Sequence, residues 1–197
     1  MIKIGEVQEL TMPALAIRGI VVLPNNEMRI EVGREQSIKA LEDAERFDNH
    51  IVLINQEDPL IDNPKRSDLL QHGIVCKILM KIKQPNGNYK IKVRGLIRAE
   101  IVDFIQEDPF FFTEIKTLPS FSNDQTKEIA LIRMLINAVI ENADLLFADP
   151  KEVIASIQGN TTADKISDIV AFALRISEND KLKYISMVDV NERLEKL

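Results

Sequence analysis

The segment that decides the fold is a hairpin sequence at residues 73–99, which reads GIVCKILMKIKQPNGNYKIKVRGLIRA. At its centre, Asn86 and Gly87 supply the positive φ angles that a tight hairpin turn requires. Residues rich in Ile, Val and Lys flank the turn on both sides, as expected of paired antiparallel strands. The segment therefore predicts two long strands joined by a tight turn.

Alternation along these strands predicts which side chains face the interior. Side chains two residues apart point to the same face of a sheet. One face is apolar, and we expect it to be buried: Cys76, Ile78, Met80, Ile82, Tyr89, Ile91 and Val93. The opposite face carries the basic side chains: Lys77, Lys81, Lys83, Lys90, Lys92 and Arg94.

Further β-rich runs surround the hairpin and predict a small β-rich lobe over residues 1–118. Together with the hairpin strands at 73–83 and 89–105, the runs predicted as strands are 14–22, 28–32, 50–55 and 110–118. One amphipathic helix interrupts them at residues 34–47, and its apolar stripe contains Ile38, Leu41, Ala44 and Phe47. We expect this helix to close one end of a β-barrel.

After a connector at residues 119–123, the apolar spacing changes to three and four, which predicts a helical bundle over residues 124–197. A first helix at 125–147 has these residues on one face: Ile132, Leu135, Ile136, Val139, Ala143 and Leu146. A second begins after Asp149 and ends at Gly159, and three more starts are indicated at 161–164, 177–180 and 189–192. The fold class is α+β. Because the last helix reaches Leu197 without a stop signal, we expect the natural protein to continue.

The composition is that of a globular protein. The chain has 197 residues, of which 45% are hydrophobic and 28% charged, with a net charge of -6. Residues 1–100 carry a net charge of +1 and residues 101–197 one of -7, which supports two distinct lobes. The lone Cys76, and the lack of a membrane-length apolar run or a signal-peptide pattern, favour a cytoplasmic protein without membrane contact.

No pattern of catalytic or cofactor-binding residues is found. The sequence contains neither a P-loop nor a glycine-rich dinucleotide motif, so a tightly bound nucleotide is not expected. His50, His72 and Cys76 are too few and too scattered to predict a metal site, and we interpret Cys76 as a buried thiol. Ser37 and Lys39 are two apart on a helix and point in different directions, so they do not indicate a catalytic dyad.

Two surfaces are candidates for binding. Between residues 71 and 99 there are seven basic side chains and no acidic one, which suits either phosphate contacts or a solvated strand face. We favour the solvated face, because Tyr89 is the sole aromatic residue there and base stacking needs more. The other candidate is apolar and includes residues 110–112, Phe-Phe-Phe. Because three consecutive side chains on a strand cannot all face one core, we expect at least one of them to cover the second lobe or to meet a partner, and we favour the second lobe.

Several blocks, in this order and spacing, resemble a known family across essentially the whole chain. They are residues 12–18 (MPALAIR), 21–24 (VVLP), 32–41 (VGREQSIKAL), 85–87 (PNG), 93–99 (VRGLIRA), 163–166 (ADKI) and 189–197 (DVNERLEKL). The chain is similar in these blocks to the N-terminal region of the ATP-dependent Lon protease family. Ala16 stands where a second proline is common in that family, and Gln84 replaces a usual apolar residue.

The resemblance implies a PUA-like β-barrel lobe followed by an α-helical bundle, placed ahead of ATPase and serine–lysine protease modules. In the family, this region captures unfolded or damaged proteins and helps steady the hexamer of Lon subunits. ATP and Mg²⁺ act in the downstream modules. No catalytic, cofactor-binding or metal-binding residue is therefore expected in this chain.

Three apolar residues are predicted to contact substrates: Ile17, Leu23 and Met28. They lie around the connection between the first two strands, which carries more apolar surface than a loop normally exposes. Each contact would add about 1–3 kcal/mol, so binding would be weak and would gain from several copies.

Two alternatives stay open. The chain is either part of a protease or a stand-alone Lon-type adaptor or ligand-binding domain, and the reading frame after Leu197 decides between them. A PUA-like nucleic-acid-binding protein is a further alternative, which salt-dependent binding to RNA or DNA would support. We do not expect nucleic acid to be a partner.

Overall fold

The predicted hairpin is present in a computed structural model, which describes residues 2–159 and 162–197. The chain divides into two units, Met1–Pro119 and Ser120–Leu197. In chain order, the first unit contains β1 (Glu9–Ile17), β2 (Glu27–Val32), a helix α1 (Glu35–Asp43) continued by a 3₁₀ turn (Ala44–Phe47), β3 (His50–Gln56), a second 3₁₀ turn (Arg66–Asp68), β4 (Leu69–Lys83), β5 (Tyr89–Gln106) and β6 (Phe112–Leu118).

The first strand lies five residues earlier than the pattern predicts, at Glu9–Ile17 rather than 14–22. Its partners fix this position, because β6 pairs with its first half and β3 with its second half. The chain then turns at Gly19, whose φ is +73°. Residues 21–23 are buried without forming a strand, and burial explains their apolar pattern.

The sheet closes on itself. Its order is β2-β5-β4-β3-β1-β6, and β5 also pairs with β6, so five strands form a ring and β2 extends it as a sixth. The neighbours β1 and β3 are parallel, and the other pairs are antiparallel. Closure gives the ring strands partners on both sides along much of their length, which removes exposed edges. The predicted β-barrel is confirmed.

A β-bulge in β4 changes the face on which two predicted core residues lie. The pairing between β4 and β5 shifts between Ile78 and Met80, so that Met80 lies opposite Lys92 and Ile82 opposite Lys90. Beyond a bulge, every side chain changes face. The predicted burial of Cys76 and Ile78 is therefore confirmed, whereas that of Met80 and Ile82 is wrong: they are 38% and 47% exposed.

The barrel interior is filled by branched aliphatic side chains and Phe111. Its main cluster consists of Met12, Ala14, Val52, Ile54, Leu69, Val75, Ile97, Ala99, Phe111 and Ile115. Gly95 lets the segment before β2 lie directly on β5, because a Cβ atom at this position would be 2.3 Å from the Leu23 carbonyl oxygen. Any larger residue would therefore push the Leu23 backbone away.

The second unit is helical, as predicted. Its helices are α2 (Gln125–Leu146), α3 (Pro150–Gln158), α4 (Ala163–Ala173), α5 (Glu178–Leu182) and α6 (Val190–Lys196). The predicted caps Asp149 and Ser177 accept hydrogen bonds from first-turn N–H groups, whereas Thr161 lies outside the described residues. Among the residues that the structure describes, no helix is long and apolar enough to cross a bilayer.

A buried arginine joins three segments of the helical unit. Arg193 on α6 is fully buried and donates to the Met187 carbonyl (2.8 Å) and to the Ser120 and Ser167 hydroxyls (3.1 and 3.2 Å). Its Nε also lies 3.7 Å from the buried carboxylate of Asp168 on α4. A buried charge needs such partners, because an unpaired one is strongly destabilising.

Candidate functional site

The three predicted substrate-contact residues lie in the first unit, and two of them are not at the surface. Ile17 is 5% exposed and Leu23 is fully buried, so the expectation that they are exposed is wrong. Leu23 is covered because its segment lies on β5, where Pro24 bridges to Gly95. Met28 is half-buried. Substrate contact by these residues stays a prediction.

A cleft of about 580 Å³ lies next to Ile17, between the end of β1, β2 and the start of α1. Leu15, Ile17, Ile30 and Val32 form apolar parts of its wall. Its polar parts come from Arg18, Arg29, Glu31, Arg34, Ser37 and Asn88. The cleft therefore combines an apolar surface with several charged and hydrogen-bonding groups.

On one side of the cleft, β1 has a free backbone edge. The Ala14 N–H donates to the Phe111 carbonyl (2.8 Å), on the side where β6 pairs with β1. Since backbone groups alternate between the two edges of a strand, the N–H and C=O of Ala16 point to the same side. The pairing with β6 covers Glu9–Pro13, so Ala16 presents an edge without a strand partner among the described residues.

On the other side, β2 is the terminal strand of the sheet order and also has a free edge. The Gly95 N–H donates to the Asn26 carbonyl (3.0 Å), which directs even-numbered residues of β2 toward β5. The backbone groups of Arg29 and Glu31 consequently point away from β5. The cleft is thus lined by residues from two free strand edges.

Three arginines give the cleft its positive charge. Arg18 is held by Asp62 (2.9 Å) and by the Pro59 carbonyl (2.9 Å), whereas Arg34 donates to the uncharged Gln56 side chain (2.8 Å). Partial burial lowers the pKa of Arg34, and the positive charge of Arg18 lowers it further. An anion near Arg34 would relieve both effects.

The start of α1 adds donors to the same wall. The Ile38 N–H makes the first intrahelical bond, to the Arg34 carbonyl, and the Arg34 side chain does not cap the helix. The N–H groups of Glu35, Gln36 and Ser37 are the orphan donors of a first turn. The Ser37 side chain lines the cleft, is 8% exposed and has no hydrogen-bond partner within the described chain.

The basic ribbon of residues 71–99 is largely compensated by acidic side chains from other segments. Its ion pairs are Lys77–Asp48, Lys81–Glu45, Lys92–Glu27 and Arg94–Glu27. Hydrogen bonds from Lys92 and Arg94 lower the pKa of Glu27, and Arg98 is buried. These contacts support the interpretation as a solvated strand face and do not favour a nucleic-acid interface.

The three consecutive phenylalanines have contacts inside the first unit. Phe111 is buried in the barrel core and packs edge-on against Phe104, with ring centroids 5.5 Å apart. Phe112 packs against Phe47 at 5.4 Å, and Phe110 against Phe112 at 6.5 Å. These contacts account for all three rings; packing against the second lobe stays a prediction.

Sequence alternation missed an apolar patch at the end of β4. Leu79, Met80 and Ile82, which we call the hairpin patch, are 41%, 38% and 47% exposed. In the helical unit, α2 exposes large apolar side chains on two separate faces, Ile129 and Ile140 on one and Met134 and Leu145 on the other. The one available signal for the hairpin patch was Leu79, an apolar residue at a position that strict alternation assigns to the lysine face.

The remaining reactive groups do not form a catalytic arrangement in the residues that the structure describes. Cys76 is fully buried, and burial strongly raises the pKa of its thiol, which keeps it protonated and unreactive. Within residues 2–159 and 162–197, no three His, Cys, Asp or Glu side chains group as metal ligands would. The cleft and the apolar patches have the chemistry of binding surfaces.

These features define a two-unit α+β domain, a β-barrel followed by helices. A sequence model of the ATP-dependent protease La (LON) substrate-binding domain matches residues 11–197. The chain belongs to this family, which confirms the resemblance seen in the sequence.

Relatives and solved structures agree with this assignment. The chain is 33% identical over 189 residues to the Lon protease of Bacillus thuringiensis (strain Al Hakam) and 32% identical over 184 residues to that of Brevibacillus choshinensis. These matches cover 96% and 93% of the chain but 24% of each relative, so the chain spans about a quarter of their length.

Two solved domains share the fold. The N-terminal domain of the Mycobacterium avium complex Lon protease matches with a TM-score of 0.71 at 20% identity, covering 94% of this chain and 95% of that one. The Lon N-terminal domain protein from Xanthomonas campestris matches with a TM-score of 0.61 at 16% identity, covering 95% and 96%. The barrel followed by helices is therefore the architecture of Lon N-terminal domains.

Proposed function

We propose that this chain is the substrate-recognition and assembly region of an ATP-dependent Lon-type serine protease. It captures unfolded or damaged proteins, and downstream ATPase and protease modules unfold and cleave them. The family assignment and the lack of a catalytic arrangement in the described residues support this division of labour. The observation that carries the proposal is the exposed apolar surface in both units.

The hairpin patch suits the capture of unfolded chains. The bulge turns Met80 and Ile82 outward beside the exposed Leu79 and near lysines, and such a rim keeps an apolar patch soluble. Unfolded proteins differ from folded ones in exposing contiguous apolar segments, which such a patch can cover. Contacts of about 1–3 kcal/mol for each buried side chain give weak, reversible binding.

Exposed apolar residues of α2 offer further contacts of the same chemistry. Leu145 is 78% exposed and Met134 is 68% exposed. Two weak sites on one chain, and more in an assembly of subunits, raise the effective concentration of a bound client. Of the three predicted contact residues, Met28 is half-buried and is a further candidate contact. Ile17 and Leu23 are buried, so they could contact a client only after the structure around them opens locally.

The other parts of the proposal concern partners and location. Other Lon subunits are the proposed assembly partners, ATP and Mg²⁺ belong to the downstream modules, and the protein is proposed to be cytoplasmic. Nucleic acid and membranes are not proposed as partners of this chain.

A titration with a labelled denatured protein tests the capture of clients. The double variant Met80→Ser/Ile82→Ser should weaken the binding of denatured casein by at least about tenfold, because two lost contacts of about 1–3 kcal/mol each exceed the roughly 1.4 kcal/mol of a tenfold change. Leu60→Ser is the matched control, since Leu60 is 85% exposed and lies outside both the hairpin patch and α2. Fluorescence anisotropy measures both affinities.

Two outcomes would contradict the proposal. If the unmodified chain does not bind denatured casein, client capture by this domain is wrong. If the double variant and the Leu60→Ser control bind equally well, the hairpin patch is not the contact surface. Cleavage of casein by this chain alone would overturn its assignment as a recognition region.

A further inference from the structure

We propose that the cleft between β1, β2 and the start of α1 binds an extended peptide that carries a carboxylate. The strand edges hold the peptide backbone, and Arg34, Ser37 and the first-turn amides of α1 hold the carboxylate. The inference rests on the proposed function, because it names the chemistry of one class of client segment.

The two strand edges select an extended peptide. The N–H and C=O of Ala16 on β1, and the backbone groups of Arg29 and Glu31 on β2, lack strand partners and belong to residues that line the cleft. A peptide in the β conformation satisfies such edges by adding as a strand. Ile30 and Val32 provide apolar surface for its side chains.

The end of the cleft at α1 selects an oxyanion. The first-turn N–H groups and the helix dipole of the nine-residue α1 favour negative charge. The Ser37 side chain is an independent indication, because the residue is 8% exposed, lines the cleft and makes no hydrogen bond within the described chain. Among the described residues, its Oγ is not one of the buried atoms that lack a partner, so it stays open to the cleft, where a ligand oxygen can accept its hydrogen bond.

The charges around this end also favour an anion. Arg34 is half-buried and hydrogen-bonds an amide rather than a carboxylate, and Arg29 is exposed at the rim. Of the nearby acids, Asp62 is paired with Arg18 and Glu35 with Lys39, whereas Glu31 lines the cleft and accepts a hydrogen bond from the neutral Asn88. A carboxylate can therefore pair with Arg34 through charge-assisted hydrogen bonds.

A peptide carboxylate fits the cleft better than a free anion. A cleft of about 580 Å³ is much larger than one phosphate ion, and its apolar wall and strand edges would be unused by such an ion. The carboxylate belongs to either a chain terminus or an acidic side chain. Peptide probes distinguish these two sources.

The test compares acetylated six-residue peptides of β-forming residues in three forms. The first has a free terminal carboxylate, the second a terminal amide, and the third a terminal amide with glutamate as last residue. NMR titration of the chain gives each affinity and shows whether Ala16 and Ser37 respond. We expect one of the two carboxylate-bearing peptides, the first or the third, to bind at least about tenfold more tightly than the second, which has no carboxylate.

Variants separate the two parts of the proposal. Arg34→Gln, and independently Arg29→Gln at the exposed rim, should reduce the preference for carboxylate, whereas Arg133→Gln removes the same charge from exposed α2 and should not. Ala16→Pro removes one backbone donor at a strand edge, where proline is tolerated, and should weaken all three peptides. Thermal unfolding of each variant verifies that it is folded.

Three results would overturn the proposal: equal affinity for the carboxylate and amide forms, shifts confined to residues outside the cleft, or inorganic phosphate binding as tightly as the peptides. Casein binding, measured in parallel, separates this inference from the proposed function. If casein binds but the peptides show no carboxylate preference, the inference about the cleft alone is wrong. If casein does not bind, client capture itself is wrong.

Discussion

The most buried strand of the barrel unit and the longest helix of the helical unit differ in how completely they bury their side chains. In the barrel, closure of the sheet places whole strand faces in the interior, and β3 is buried along Ile51–Gln56. In the helical unit, the 22-residue α2 has two buried residues, Val139 and Ala143, and several large exposed ones. Closure of the sheet covers β3, whereas α2 leaves apolar side chains at the surface, as the hairpin patch does in the barrel unit.

The largest expected effect concerns the buried ion pair of the helical unit. Arg193→Ala leaves the Asp168 carboxylate buried without its guanidinium, which should cost about 3–5 kcal/mol. Hydrogen exchange measured by mass spectrometry should show faster exchange in α4 and α6, while β3 and β4 keep their protection.

A double variant provides the control for this prediction. Arg193→Met combined with Asp168→Leu removes both charges and should recover much of the lost stability. If Arg193→Ala reduced the hydrogen-exchange protection of the barrel and of the helices equally, the prediction that its effect is confined to the helical unit would be wrong.

The second prediction concerns the barrel core. Leu41 on α1 is fully buried, so Leu41→Ala should reduce the free energy of unfolding by about 2–5 kcal/mol through lost burial and a cavity. Ile38→Ala, on the same helix at a half-buried position, is the matched control and should cost less. Urea unfolding measures both; a larger loss for Ile38→Ala would contradict the assigned packing of α1.

Local sequence signals predicted where strands, helices and turns form better than they predicted which side chains of these elements are buried. The turn was predictable because Gly87 has a conformational reason to be there, with a φ of +88°, whereas the positive φ expected at Asn86 is wrong. The bulge after Ile78 was not predictable, because it arises from pairing with β5. The alternation of lysines in the sequence continues through it unchanged. Burial of Leu23 was missed for the same reason, since it depends on the approach to Gly95.

The cleft could not be predicted from the sequence because its walls are distant in the chain. The free edge at Ala16 exists because β6, about a hundred residues later, ends its pairing at Pro13. The pattern of residues 34–47 predicted α1, but it gave no indication that Ser37 would face a cleft rather than solvent. Sequence patterns report periodicity within an element, whereas a binding site depends on which elements become neighbours.

The smallest expected effect is a pH dependence that distinguishes the units, because both histidines of the chain lie in the first one. Burial lowers the pKa of His50 below its ordinary value of 6.5, although a hydrogen bond to the Phe47 carbonyl opposes this. Nearby Lys77 lowers this pKa further, and Asp48 raises it. The folded barrel therefore favours the neutral imidazole.

The sign of the pH effect follows from this preference. As the pH falls below about 6.5, the unfolded chain takes up a proton at His50 that the folded barrel resists, so stability decreases until the folded pKa is reached. His50→Gln should remove the loss of stability that His50 causes between roughly pH 7 and pH 5. His72→Gln leaves His50 in place, so this variant should still lose stability over that range. Chemical unfolding across this range provides the comparison, and identical slopes for His50→Gln and the unmodified chain would show that His50 is not a source of the effect.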